Sequence, residues 1–274
     1  MNSCKIGMIQ TLVEPEKQKN LDAAAALIRT AASDGADFVV LPEMFDCPYK
    51  TDNFPVYAEP DGGSVYTQLA AMARNAGVYL IAGTVPERDG DQIYNTCYIF
   101  NRQGEQIAKH RKMHLFNISI PGKQAFRESD TLSAGNQVTV FDTEFGKMGA
   151  AICYDIRFPE LYRLMALAGA QIIFTPAAFS MTTGRAHWEL AFRSRALDNQ
   201  VFTVGVAPAR SHSGGYTSYS KSIIADPWGS IAAQMDETPG YLVTSIDLSE
   251  ITRIRSQLPL LAQRRTDLYD VIKK

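Results

Sequence analysis

The sequence predicts a layered α/β fold, and three observations carry that prediction. Short apolar runs such as "DFVVLPE" and "QIIFTPA" have the length and β-branched content of buried strands. Between them lie segments whose apolar residues recur every three or four positions, as on a helix packed on a sheet. Composition agrees: 46% hydrophobic and 20% charged residues over 274 positions describe a globular chain with enough apolar mass for a core.

In order along the chain, "CKIGMIQ" alternates like a strand. "EKQKNLDAAAALIRTAASDG" then aligns Leu21, Ala25, Ile28 and Ala32 on one helical face, with Gly35 as its stop. "DFVVLPE" is a strand. "SVYTQLAAMARNAG" is a second helix, with Val65, Leu69, Met72 and Ala76 on one side, and "YLIAGTVP" a strand. "IYNTCYIFN" and "EQIAKHRK", joined by "RQG", read as a hairpin. Residues 113–137 show no period, and an irregular loop of that length inside a domain reads as a functional lid. "QVTVFDT" and "KMGAAIC" are strands, "PELYRLMALAG" a helix burying Leu161, Leu164, Met165 and Ala168, and "QIIFTPA" a strand. "GRAHWELAFRSRALDNQ" is a helix, followed by the strands "VFTVGVAP", "SYSKSIIADPWG", "SIAAQM" and "YLVTSIDL". "ITRIRSQLPLLAQRR" is helical apart from Pro259. No Pro/Gly/Ser-rich linker divides the chain, so residues 1–274 are expected to form one domain.

Composition excludes several functions. Lys plus Arg number 27 and Asp plus Glu 29, a formal charge of -2 that offers no field for nucleic acid or anionic lipid. No window reaches the roughly 18 to 20 apolar residues of a membrane span, and the N-terminus lacks a secretory signal, so a cytoplasmic protein is expected. Cys4, Cys47, Cys97 and Cys153 are scattered, with no CxxC pair, as in a reducing compartment. "HRKMH" spaces His110 and His114 four apart but lacks the glutamate of HExxH and any further ligand cluster, so no metal is expected.

Glu43, Lys112 and Cys153 each stand where an expected strand runs out. In layered α/β folds the carboxyl ends of strands converge on a ligand crevice, so residues distant in sequence can meet there. Cys153 also lies in a strand-turn-helix step, the placement that exposes a nucleophile, and a nearby ammonium favours the thiolate. A strand-end cysteine is also an ordinary core residue, and strand-end charges are commonly solvated. Placement alone therefore does not choose this set over a Cys/His/Glu combination using His114 or His187.

The blocks "LPEMF", "HRKMHLF" and "CYDIRFPEL", in that order, resemble the three signature blocks of the nitrilase, or carbon-nitrogen hydrolase, superfamily, and the likeness runs nearly end to end through "DPWG". The resemblance implies a four-layer αββα sandwich, no cofactor, and a Glu-Lys-Cys triad: Glu43 as base, Lys112 as oxyanion-stabilising ammonium, Cys153 as nucleophile. The backbone N–H of Tyr154 assists Lys112, and Glu128 is the supporting second glutamate. "CPY", "HLFNISIPGKQAFRES" and "TPAAFSMTTGRAHWELAFRSRALDNQ" are similar to the ω-amidase branch, which hydrolyses α-ketoglutaramate and α-ketosuccinamate; a neighbouring branch takes deaminated glutathione. Arg185 stands where that branch usually has proline, so the mouth of the pocket is expected to differ. Candidate substrate contacts are Tyr49, Thr183, Arg157 and Arg185 as polar anchors, with Phe116 and Phe179 as apolar walls; Arg157 alternatively braces its own turn through Asp155 or Glu160. The family commonly dimerises, and the segment after Ile251 is the expected contributor. Two rival classes remain: a Cys-His-Glu glutaminase serving a synthase partner, and a non-catalytic interaction protein.

Overall fold

A computed structural model describes residues 2–122, 124–211 and 216–274. The chain begins β1 (Ser3–Gln10), α1 (Lys17–Ser33) and β2 (Phe38–Val40). A short helix α2 (Phe54–Tyr57) and a two-residue strand β3 (Glu59–Pro60) lead into α3 (Ser64–Ala76) and β4 (Tyr79–Ile81). β5 (Val85–Asp89), β6 (Gln92–Phe100) and β7 (Gln106–Arg111) form an antiparallel run, and β8 (Asn117–Ile120) pairs with β9 (Gln124–Arg127) as a separate hairpin. The second half runs β10 (Thr139–Thr143), β11 (Gly146–Ala150), α4 (Pro159–Leu167), β12 (Ile172–Pro176), α5 (Met181–Asn199), β13 (Phe202–Val206), β14 (Ile223–Ala225), β15 (Ile231–Gln234), β16 (Gly240–Asp247) and α6 (Ser249–Gln257).

Two sheets result. One has the order β16-β1-β2-β4-β6-β5-β3, with β7 also on β6; the other is β10-β11-β12-β13-β14-β15. β1, β2 and β4 are parallel, as are β11, β12 and β13, because each pair is joined through a helix that crosses back over the sheet. The sheets face each other across one apolar core, where Ile6, Met8, Phe38 and Ile99 meet Met148, Phe174, Val204 and Ile224; the Phe38 and Phe174 rings lie 5.4 Å apart. α1 and α3 cover the outer face of the first sheet, and α4 and α5 that of the second. The layers are therefore α, β, β, α. Gly205 on β13 permits the close approach of α5, since a Cβ there would lie 2.3 Å from the Phe192 ring.

The helix faces are rotated slightly from the sequence expectation. α1 buries Leu21, Ala24, Ile28 and Ala31, while Ala25 and Ala32 stand at the edge of its stripe. α3 fully buries Val65, Leu69 and Ala73, leaving Met72 and Ala76 half-buried; α4 buries Leu161, Tyr162, Met165 and Ala166, leaving Ala168 exposed. In a helix rich in alanine several stripes score alike, and the large residues decide which one faces the sheet. Truncating Leu21 to alanine would cost about 2–5 kcal/mol.

Three loops also differ from expectation. "YLIAGTVP" is two strands, broken at Gly83 (φ +58), where a Cβ would fall 2.2 Å from the Pro42 carbonyl oxygen. Residues 113–137 are not a structureless lid: they hold the β8–β9 hairpin and a 3-10 turn, Glu128–Asp130. α6 ends at Gln257, two residues ahead of Pro259, because proline disfavours helical geometry in the residue before it and cannot donate to the preceding turn.

Candidate active site

Three chain segments converge beyond the strand ends. Past β2, the Glu43 loop is held by the Gly83 break: Thr84 N–H donates to the Pro42 carbonyl (3.1 Å), and Met44 N–H donates to Thr84 Oγ1 (2.9 Å). Past β7, Lys112 N–H donates to the Asn95 carbonyl (2.9 Å), carrying the strand register one residue further. Past β11, Cys153 opens the 3-10 turn Cys153–Arg157 with φ +45, a left-handed conformation that costs a residue with a Cβ of order 1–3 kcal/mol. The surrounding turn holds it there.

Asp155 provides that restraint. Its Oδ2 accepts from Ile152 N–H (3.0 Å) and lies 3.1 Å from His110 Nε2; its Oδ1 accepts from His114 N–H (2.9 Å) and lies 2.7 Å from His114 Nδ1. Burial alone would raise the Asp155 pKa, but these hydrogen bonds prevail and hold it well below the usual carboxylate range. Asp155 thus ties the Cys153 turn to residues on both sides of Lys112. It is engaged there with the histidines, and the Arg157 guanidinium instead lies 4.9 Å over the Phe179 ring and 3.2 Å from His187 Nδ1.

The fully buried Lys112 ammonium donates to Glu43 Oε1 and to Glu128 Oε1, each at 2.9 Å. Glu128 Oε1 also accepts from the Tyr49 hydroxyl (2.5 Å), and its Oε2 from Phe116 N–H (2.6 Å). Glu43 Oε1 further accepts from Asn95 Nδ2 (2.9 Å), while Glu43 Oε2 has no nitrogen or oxygen partner among the described residues. The Cys153 thiol is close enough to that carboxylate to affect its titration.

Charge balance follows from this geometry. Burial is the main cause that raises Glu43 above its ordinary value; Lys112 opposes it and Glu128 adds to it. Lys112 stays protonated because Glu128, Glu43 and Cys153 outweigh its desolvation. The Cys153 thiol is pushed well up, first by burial and then by Glu43, against the pull of Lys112 and of a hydrogen bond from Ala178 N–H. The pull of Lys112 towards the thiolate is thus opposed by the neighbouring carboxylate and the dry surroundings, which leaves the thiol proton for Glu43 to take.

A cavity of about 380 Å³ opens beside Glu43, lined among others by Met44, Tyr49, Ala178, Tyr216 and Ser218. Tyr216 packs on Tyr49 with ring centres 4.8 Å apart and donates to the Ala178 carbonyl. The proposed anchors divide: Tyr49 lines this cavity, whereas Arg157, Thr183 and Arg185 do not. Arg185 is exposed on the first turns of α5, and the Thr183 hydroxyl is 3.3 Å from Ser180 Oγ, within the helix cap. Phe116 and Phe179, expected as apolar walls, are buried but do not line this cavity either. His114 is bound to Asp155 and stacks on Phe158 at 3.6 Å, so it is engaged away from the thiol. Sequence reading missed Asn95 and Tyr216 and named Asp155 only as a turn partner of Arg157; a buried-strand asparagine in "IYNTCYIF" was the available signal for Asn95. Among the described residues, no group of three or more His, Cys, Asp or Glu side chains is placed to hold a metal ion.

The carbon-nitrogen hydrolase family profile matches residues 4–256. The chain belongs to the carbon-nitrogen hydrolase family. It is 47% identical over 274 residues to a Xenopus laevis protein named omega-amidase NIT2-A, covering 100% of this chain and 99% of that one. To omega-amidase NIT2 of Homo sapiens it is 42% identical, with the same coverage. Among solved structures, Saccharomyces cerevisiae Nit3, a member of branch 10 of the nitrilase superfamily, superposes with a TM-score of 0.89 at 41% identity, covering 96% of this chain and 97% of that one. The four-layer arrangement is thus that of the nitrilase superfamily, and the chain is an amidase of this family.

Proposed function

We propose that the protein is an ω-amidase that hydrolyses the terminal amide of short α-keto dicarboxylic acid monoamides to the acid and ammonia. The observation that carries this reading is full-length identity of 42–47% to proteins named omega-amidase, together with a buried Glu43–Lys112–Glu128 cluster beside Cys153. Glu43 Oε2 takes the thiol proton as Cys153 Sγ attacks the amide carbon. Lys112 and Tyr154 N–H, a first-turn group without an intrahelical partner, stabilise the oxyanion. Collapse of this intermediate expels ammonia, protonated by Glu43, and leaves a thioester. Water, deprotonated by Glu43 with Glu128 holding Lys112 in place, then adds to the thioester carbonyl and releases the acid and the thiol. Because burial and Glu43 push the thiol's pKa up, proton transfer to Glu43 accompanies attack.

The cavity wall favours a hydroxyl-rich anchor, with Tyr49, Tyr216 and Ser218 on it, over the guanidinium of Arg157 or Arg185. A homodimer is part of the reading: Leu167, Leu190 and Leu197 on α4 and α5, and Leu268 and Ile272 near the C-terminus, are exposed apolar side chains. The four cysteines are free thiols, which suits the cytoplasm. The deciding experiment is ammonia release from purified protein across α-ketoglutaramate, α-ketosuccinamate, deaminated glutathione, glutamine and butyramide. We expect kcat/KM for the keto amides at least about 100-fold above butyramide, about 2.7 kcal/mol of transition-state stabilisation. Equal rates on butyramide would remove the anchor, and preference for deaminated glutathione would move the assignment to that branch.

A further inference from the structure

Asn95 lies on β6, fully buried, and touches two members of the cluster at once. Its side-chain Nδ2 donates to Glu43 Oε1 at 2.9 Å, and its backbone carbonyl accepts from Lys112 N–H at 2.9 Å. Glu43 Oε1 also receives the Lys112 ammonium at 2.9 Å, and the Tyr49 hydroxyl stands 3.4 Å away. The nitrogen and oxygen donors therefore gather on one carboxylate oxygen, while among the described residues Oε2 has none. The amide is oriented by this contact: turned over, it would set its own oxygen against the carboxylate. Among the described residues Asn95 Oδ1 meanwhile has no hydrogen-bond partner in its buried position, a cost a neutral apolar side chain would not incur.

We propose that Asn95 is a positioning residue for the reaction: its amide fixes Glu43 Oε1, so that Oε2 is the oxygen presented to the Cys153 thiol. The inference rests on the reading of Glu43 as the base. Proton transfer from Sγ needs a carboxylate lone pair held within hydrogen-bond reach, and a carboxylate free to rotate about its last torsion would share that role between its two oxygens. The amide also stabilises the ionised form of Glu43, which burial disfavours. Its removal should raise the pH at which the base becomes available.

The test compares Asn95→Ala, the isosteric Asn95→Asp and Glu43→Gln by pH profiles of kcat and kcat/KM for α-ketoglutaramate. Thermal melts identify the folded variants. Asn95→Ala removes a donor and Asn95→Asp adds a negative charge, so each is expected to lower kcat about tenfold or more. KM should stay within about twofold, and the acid limb of kcat/KM should move up by about one pH unit. Either variant suffices if the other does not fold. Lowered kcat with an unmoved acid limb would reduce Asn95 to a packing role and overturn the proposal, as would wild-type kinetics. Glu43→Gln separates the two readings. If it is inactive while the Asn95 variants keep the wild-type profile, the base stands and the positioning role falls; if it is fully active, the base reading itself fails.

Discussion

Neighbouring residues at the end of one strand serve two ion clusters with opposite outcomes. Lys109 and Arg111 on β7 point to one face, and His110 and Lys112 to the other, as the pleat requires. On the first face, Glu87 accepts from Lys109 (2.8 Å), Arg111 (2.7 and 2.9 Å) and Thr96 (2.6 Å). Burial would raise its pKa, but these donors prevail and bring it down to about 2. On the second face one ammonium is shared by Glu43 and Glu128, all fully buried, and Glu43 is raised instead. Two cations at the edge of solvent on one carboxylate make a structural pair. One cation between two carboxylates in a dry site leaves a carboxylate that holds its proton more readily than an ordinary one.

That contrast can be broken most severely at the nucleophile. Cys153→Ala should lower turnover at least about 1000-fold with little change in melting temperature, and mass spectrometry of iodoacetamide-treated wild type should find Cys153 labelled before Cys4, Cys47 or Cys97. Full activity in the variant would dismiss the thioester. Lys112→Met should lower kcat about 100-fold or more, the scale of a lost oxyanion partner; a rise in KM alone would make Lys112 a binding residue. Glu128→Gln should fold normally and lose about tenfold or more in kcat, because Lys112 loses one of its two anchors; steady-state kinetics beside a thermal melt measures both.

The pH dependence sharpens the comparison further. Glu43 must be ionised to act as base, and its pKa lies above the ordinary 4.5, so kcat/KM should fall on acidification with a midpoint above that value. A midpoint at or below 4.5 would contradict the raised carboxylate. On the structural face the sign is reversed. Glu87 is lowered from 4.5 to about 2, so its contribution to stability is present above pH 4.5 and is lost as pH falls towards 2. Glu87→Gln should therefore destabilise the fold by about 1–3 kcal/mol in urea melts at neutral pH, with kcat within about twofold of wild type. A Glu87 variant with wild-type stability and impaired turnover would erase the distinction between the two faces.

The sequence by itself determined the alternation of strands and helices, because periodicity records which side of each element meets water. It also placed Glu43, Lys112 and Cys153 at strand ends, while choosing them as a set needed the resemblance carried by their three blocks. Glu128 came only through resemblance, for in isolation it reads as a loop charge, and the fold buries it completely by closing the β8–β9 hairpin against Phe116. Tertiary structure alone decided which residues line the cavity. Arg185 and Thr183 sit one helical turn or less apart on α5, yet one faces solvent and the other the helix cap, an orientation set by packing between layers. It also decided that β16 returns to pair with β1, that Asp155 binds two histidines, and that Asn95 reaches Glu43 from 52 residues away. Such contacts join groups distant along the chain, and their electrostatics depend on how much water the closed layers exclude, a quantity no local pattern encodes.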